Sequence, residues 1–306
     1  MTRRPILLLV NPVAGGKIGS GPDLSDDPAE MEPQALARAL GDRGLTVELR
    51  ELREEDDVHA LSVDAAAGGF DVVAAGGDGT VSRVAAALLG SEATLGILAR
   101  GSFNNMATGY RVPTTLDDAL DVIGAGDVSV VDAGEAFRGE GGEEGHLFFE
   151  AAGVGLDAVG FLAVEVSERH GRWRAMRSLW RGLRRRRTPM RLTIDGVRYR
   201  TGSPSVTVCN GPYHGLGFAL APDADPTDGL LDVAIFFGMN RWQVIRHFLA
   251  IARHKRQREP RVRVVRARSI TVEGMRAALP AHADGVTIGF TPVRFEVRPG
   301  TLRIFR

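Results

Sequence analysis

The chain has 306 residues, enough for two domains with cores of their own. Apolar residues make up 44% and charged ones 25%, as in ordinary globular proteins, and 38 basic residues balance 38 acidic ones. That balance excludes a global field that would gather nucleic acid, and a single cysteine, Cys209 in an apolar run, excludes a disulfide framework or a cysteine-built zinc site and suits a reduced, cytoplasmic setting.

The first apolar run, "ILLLVN" from Ile6 to Asn11, reads as a parallel strand buried on both faces. It is too short for a signal peptide and leads into "NPVAGGK" rather than a small-residue cleavage site. No apolar stretch approaches the roughly 20 residues that span a bilayer, so the expectation is a soluble or at most peripheral protein. A long polar loop follows, out to about Glu32. "PQALARAL", with Pro33 at its start, has helical spacing. "LTVELR" reads as a strand, Asp57–Ala67 as a helix, "FDVVAA" as a strand, Thr80–Leu89 as a helix and "TLGILA" as a strand. "GSFNNMATGY" and a helix "TTLDDALDVI" follow. Strands alternating with helices predict a doubly wound parallel sheet over residues 1–126.

After about Gly126 the rhythm changes. "DVSVVDAGEAF" and "HLFFEAAGV" read as a strand pair, and "MRLTIDGVRYRTG" as a hairpin turning at Asp195-Gly196. "PSVTVCNG", "LLDVAIFF", "PRVRVVRARSITVEG" and "VRFEVRPGTLRIF" read as further strands. Short strands joined by turns predict an antiparallel β-sandwich over residues 127–290. Helices are expected over Leu156–Arg169, Arg172–Arg186 and Asn240–His254, the last with Asn240 as its cap.

"VVAAGGDGTVSRV" carries the first chemical signal. Gly76 and Gly77 fall at the carboxyl end of a buried strand, where ligands of open α/β sheets bind. Without side chains they let the backbone approach a ligand, and a helix near Thr80 would offer its amides and dipole to phosphate. Thr80 is placed to cap that helix or to bond a phosphate oxygen. Asp78 is the odd member, because an acid beside phosphate requires a metal or a proton-transfer role. Neither GxxxxGK[ST] nor GxGxxG is present.

Six segments then resemble, in order, the diacylglycerol kinase catalytic-domain family of bacterial lipid kinases, related to sphingosine kinases and more distantly to NAD kinases. They are "NPVAGGK", "GGDGT", "LGILARGSFNNMA", "AAGVGLDA", "NGPYHGLGFALAPDADPTDGLLDV" and "DGV" at Asp284–Val286. The resemblance implies an ATP-dependent kinase with an α/β domain, a β-sandwich domain and ATP between them, the tail from about residue 291 returning to the first domain. Carried over by position, nucleotide contacts fall to Gly76, Gly77, Asp78, Gly79 and Thr80, with Asn11 nearby, and to Ser102, Asn104 and Asn105. In some members magnesium orders the DGLLDV loop, and the matching positions are Asp225, Asp228 and the main chain of Leu230. A second Mg2+ would arrive with ATP. The acceptor would be a lipid hydroxyl.

The chain also departs from the family. Ser82 and Arg83 stand where Asn-Glu is usual, Ala99-Arg100 stand for Pro-Leu, and Asn105 stands for an aspartate. The DGE glutamate, the general base of bacterial members, is Val286, which accepts no proton. Asp78 is then the first candidate base, by analogy with sphingosine kinases, and Asp284 the second. Two other readings stay open: a nucleotide- or lipid-binding relative without kinase activity, and a kinase of a soluble substrate, as NAD kinases are.

"GRWRAMRSLWRGLRRRRTP" is the one strongly basic run, and Arg172–Arg187 suit a helix lying on an anionic bilayer at the inner membrane face. The resemblance implies an apolar helix at this position and so favours docking of its apolar stripe on the sandwich, an arrangement that still leaves Arg184–Arg187 to touch headgroups. His214 in "YHGLGF" is expected as an ordinary surface histidine. No nucleic-acid partner is expected, and a homodimer is compatible with the sequence.

Overall fold

The computed structural model describes residues 3–14, 32–139, 142, 145–156, 158, 189–215, 217, 219–252 and 259–306. The loop from Ile18, the two helices expected over 156–169 and 172–186, and the basic run lie wholly or almost wholly outside these residues. The chain divides into two compact units, residues up to Val131 with Gly300–Arg306, and Asp132–Pro299.

In the first unit β1 (Ile6–Val10), β2 (Val47–Glu51), β3 (Asp71–Gly76) and β4 (Thr94–Ala99) form a parallel sheet in the order β2-β1-β3-β4. Every residue of β1, β3 and β4 is buried, as their unbroken apolar runs require. Helices α1 (Pro33–Asp42), α2 (Val58–Ala67), α3 (Asp78–Leu88), α4 (Asn105–Gly109) and α5 (Leu116–Ala125) connect the strands. Leu36 and Leu40 of α1 lie one turn apart and share a core with Leu8, Val73 and Ile123. Asp57 caps α2 by accepting the Ala60 N–H at 3.1 Å, so that helix starts at Val58. The returning segment is short. In the last strand, β16 (Val293–Phe305), Arg303 and Ile304 pair in parallel with Thr94 and Leu95.

The second unit is an antiparallel sandwich. Its strands are β5 (Val128–Arg138), β6 (Gly145–Phe148), β7 (Ala151–Gly155), β8 (Met190–Ile194), β9 (Val197–Thr201) and β10 (Ser205–Cys209), then β11 (Leu231–Phe236), β12 (Val262–Ala267), β13 (Ser269–Gly274), β14 (Pro280–Ala283) and β15 (Val286–Phe290). One sheet runs β12-β11-β10-β7-β14-β15, and the other places the start of β16 beside β13, β8 and β9, with β5 paired to β6. Phe148, Leu192 and Phe295 from one sheet meet Val206, Val233 and Ala281 from the other in a common core. Helix α6 (Arg241–Ala252) follows Asn240, whose Oδ1 accepts the Gln243 N–H at 3.0 Å while Gln243 Oε1 accepts the Asn240 N–H at 2.9 Å.

Two segments that read as single strands are broken. "HLFFEAAGV" divides at Phe149-Glu150 into β6 and β7, and "PRVRVVRARSITVEG" divides at Arg268 into β12 and β13. Each pair of halves belongs to different sheets. Hydrophobic alternation does not encode such a change of sheet. What fixes it is an aspartate distant in sequence, at each of two Asp-Gly turns. The hairpin β14–β15, turning at Asp284-Gly285, was not expected from the sequence as strands. His214 is buried rather than superficial.

Candidate functional site

In the first unit three loops leave the carboxyl ends of β1, β3 and β4 and meet. Asn11 follows β1, and its N–H donates to Ala75 O at 2.9 Å. Its Nδ2 donates to Thr80 Oγ1 at 3.0 Å, which fixes the loop of β1 to the first turn of α3. Arg100 N–H donates to Gly76 O at 2.9 Å and ties the loop of β4 to that of β3. Gly77 and Gly101 touch main chain to main chain: a Cβ on Gly101 would lie 2.7 Å from Gly77 Cα. These glycines are therefore demanded by the protein's own packing.

Helix α3 begins at Asp78, two residues earlier than the sequence predicts, because Gly77 O accepts the N–H groups of both Thr80 and Val81. Gly77, not Thr80, holds the cap position, and Thr80 turns its hydroxyl to Asn11. Asp78 Oδ1 accepts the Met106 N–H at 3.1 Å, so its carboxylate holds the start of α4. Burial pushes the Asp78 carboxyl above its ordinary range, against the opposing pull of main-chain amides from Met106, Asn105 and Asn104. Asn104 takes the left-handed conformation, at φ 51°, and its Oδ1 accepts the Gly101 N–H at 2.8 Å. Asn105 is buried, while Ser102 is exposed at the mouth of the loop. Gly79 differs from its neighbours. A Cβ there would have nothing within 4 Å, and its φ is not positive. Neither packing nor backbone geometry asks for glycine at this place.

In the second unit a different set of segments converges. Asp284 Oδ2 accepts the Phe149 N–H at 2.6 Å, and Oδ1 accepts those of Glu150 and Ala151 at 3.0 Å each. Both oxygens of this candidate base are thus given to main-chain amides. Burial pushes its carboxyl up to about 6, with the three amides and His282 opposing. Val286, two residues on, is 66% exposed. Asn210 Nδ2 donates to Asp132 O and Phe149 O, Asp132 Oδ2 accepts the Gly229 N–H at 2.7 Å, and Asp132 N–H donates to Pro226 O. The "NGPYHG" and "DGLLDV" segments are therefore laced to the same corner. Glu150, which sequence reasoning missed, sits at its centre. The signal for it was an acid in the middle of the apolar run "FFEAAG".

Asp225, Asp228 and Leu230 lie together on the loop before β11, as the sequence suggested. Asp225 Oδ1 accepts from Thr227 N and Oγ1, and Asp228 Oδ1 accepts the Leu230 N–H. The remaining Asp228 oxygen faces Arg266 at 3.7 Å, and the same guanidinium lies 3.6 Å from buried Asp232 and donates to Asp223 O. Among the described residues no group of three or more His, Cys, Asp or Glu is arranged to hold a metal. A guanidinium already supplies positive charge here, so the arrangement as it stands does not fit a bound cation.

Comparison with known proteins agrees with this architecture. The diacylglycerol kinase catalytic domain matches residues 5–136, and the YegS C-terminal NAD-kinase β-sandwich-like domain matches residues 153–306. A Mycobacterium tuberculosis protein named diacylglycerol kinase is 30% identical over 277 residues, covering 89% of this chain and 88% of that protein. The Escherichia coli lipid kinase YegS is 29% identical over 212 residues, 65% of this chain and 67% of the relative. A crystal structure of a diacylglycerol kinase from Bacillus anthracis has the same fold, with a TM-score of 0.69 at 22% identity over 99% of this chain and 96% of that one. A second Bacillus anthracis structure reaches 0.72 at 25% identity, over 99% and 97%. Among the described residues no helix is long and apolar enough to cross a membrane.

Proposed function

The chain belongs to the diacylglycerol kinase family, in which a diacylglycerol kinase catalytic domain precedes a YegS-type β-sandwich domain, and from that premise we propose that it is an ATP-dependent lipid kinase. The γ-phosphoryl group of ATP passes to the hydroxyl of diacylglycerol or a related lipid. The observation that carries the nucleotide part is Gly79. Glycine inside a helix costs roughly 0.5–1 kcal/mol relative to alanine, and nothing in the fold requires it there. The open space beside it leaves room for a ligand to lie against the first turn of α3. A phosphate group there meets main-chain N–H groups and the positive end of the helix.

The residues divide the work as follows. Asn11 and Thr80 keep the loops of β1 and β3 in register, and Asn104 shapes the loop of β4. Asp78 fixes α4 to α3 and stands where charge on the nucleotide's phosphates, brought in with Mg2+, is held. In the second unit Asp284 anchors the corner around Glu150 rather than touching the reacting atoms. In-line transfer of this kind rests mainly on positioning and charge neutralisation. The basic run Arg172–Arg187 is assigned by the same proposal to the membrane surface that carries the substrate.

A second reading is favoured by one observation. At Val286 the turn that carries the family's base presents an exposed valine, as a nucleotide- or lipid-binding relative without turnover would. Incubation with labelled ATP, Mg2+ and a panel of diacylglycerol, monoacylglycerol, ceramide, sphingosine and phosphatidylglycerol separates the two. Transfer to one of these lipids is the expected result. Nucleotide binding without transfer to any lipid selects the second reading, and transfer to NAD alone overturns both.

A further inference from the structure

Helix α6 of the second unit has two unlike sides. Val244 and Ile251 share a core with Phe236, Met239 and Val262, and the His247 ring meets Phe236 edge-on, with centroids 6.2 Å apart. That stripe holds the helix on the outer face of the sheet. Trp242 and Arg246 lie two residues before and two after Val244, and two residues carry an α-helix past the half-turn. Both therefore point away from the sandwich, one helical turn apart from each other. Both are exposed, Trp242 at 61%.

A lone exposed apolar side chain asks for no account. Here the apolar surface continues on the edge strand. In β12, Val262 pairs with Phe236 and Val264 with Ala234, so both valines lie on the outer face. Val262 packs into the core under α6, and Val264 is left exposed. Positive charge is in excess around this surface. Arg246 and Arg263 are exposed, while Glu259 is taken up by Arg261, and Asp228 and Asp232 by Arg266. The sequence that follows α6, "RHKRQR", holds four Arg or Lys and no acid.

We propose that the outward side of α6, with Trp242 and Arg246 at its centre, docks on an anionic lipid surface. The choice of a lipid surface rests on the lipid-kinase reading above. A tryptophan ring suits the boundary between acyl chains and headgroups, its apolar body inward and its N–H toward water. An arginine one turn away reaches headgroup phosphates. A second copy of the chain fits less well, because a two-fold contact through this side sets each Arg246 against the same excess of positive charge. The face belongs to the second unit alone and is distinct in sequence from the basic run Arg172–Arg187.

Trp242 is its own probe. The chain's tryptophans are Trp173, Trp180 and Trp242, so Trp173→Phe with Trp180→Phe leaves one emitter. On phosphatidylglycerol vesicles its emission is expected to shift to the blue and to be quenched by brominated acyl chains, with a much smaller response to phosphatidylcholine. Unchanged emission on vesicles that bind the protein overturns the inference, as does a failure to bind anionic vesicles at all. Flotation of otherwise wild-type protein keeps the test independent of those two replacements. Trp242→Ala should lower partition into anionic vesicles about tenfold, and Arg246→Gln about fivefold, both at unchanged unfolding temperature. Partition equal to wild type in both variants overturns the inference, and a changed oligomeric state of Trp242→Ala with vesicle binding intact reassigns the face to a second copy. Transfer to lipid in detergent micelles, which offer substrate without a bilayer, tests the kinase reading separately. A wild-type protein inert in micelles that still docks through Trp242 removes that reading and leaves this face standing.

Discussion

Asp195 and Asp284 do the same job at two corners of the sandwich. Each opens an Asp-Gly turn in the left-handed conformation, at φ 45° and 42°. Each donates its N–H to the first residue of a strand that has just changed sheets, Ser269 and Ala151. Each carboxylate then takes the amides of the change itself: Arg268 and Ser269 for Asp195, and Phe149, Glu150 and Ala151 for Asp284.

The two differ in how many oxygens they use, and the same substitution should separate them. Asp195 accepts through Oδ1 alone, so Asp195→Asn keeps the acceptor and is expected to change stability by less than about 0.5 kcal/mol. Asp284→Asn turns an NH2 toward a main-chain N–H and is expected to cost on the order of 1–3 kcal/mol. Denaturant unfolding of the two variants checks this. Equal penalties would mean that the corners are not held as described.

Asp284 also sets a pH dependence. Its carboxyl is raised in the folded state to about 6, above the ordinary 3.8. The stabilisation linked to its proton is therefore fully present below the unfolded value and is lost as pH rises through about 6. Relative to Asp284→Asn, the wild type should gain stability between pH 7.5 and pH 5. Parallel stability curves over that window would remove Asp284 as the source.

Gly79→Ala tests the proposed phosphate turn at the start of α3 in an unusual direction. The variant should be more stable by roughly 0.5–1 kcal/mol, since alanine is the better helix former and space is open for its methyl group. It should also bind ATP more weakly, with a reduced thermal shift. Retained ATP affinity in this variant would assign the glycine no role in binding.

Arg266→Ala leaves Asp228 and Asp232 facing each other without their cation. Burial already raises Asp232, and the arginine opposes that rise. Its removal should cost about 1 kcal/mol at pH 7.5, limited by solvent around the exposed guanidinium, and less as the pH falls and Asp232, its carboxyl raised by burial, takes up a proton. Millimolar Mg2+ should restore part of the unfolding temperature in the variant and have no such effect on wild type. Equal responses of the two proteins to Mg2+ would contradict the charge exchange.

Much of the α/β unit was legible in the sequence because strands buried on both faces read as unbroken apolar runs, as "ILLLV" and "FDVVAA" do. The Asp195-Gly196 hairpin was legible because its turn chemistry is local. The sheet changes at Glu150 and Arg268 were not, since they are written in aspartates 134 residues and 73 residues away from the amides they bind. The glycine-rich signature was found from its residues, but its glycines have unlike reasons: Gly77 for contact with Gly101, and Gly79 for a space that the chain does not fill. Glu150 was passed over although it is the one acid in the apolar run "FFEAAG".

The route of β16 has a consequence for how the protein is made. Leu302, Ile304 and Phe305 are buried in the first unit, and Arg303 and Ile304 pair with β4, yet all of the second unit comes between them and β4 in the chain. A ribosome therefore releases the first unit without its final strand and must translate the whole sandwich before that unit can close. A fragment cut at Val131 would expose the flank of β4 as a bare sheet edge, open to pairing with other chains. Expression of the first unit by itself should then yield aggregates, and co-expression of the remainder should recover it.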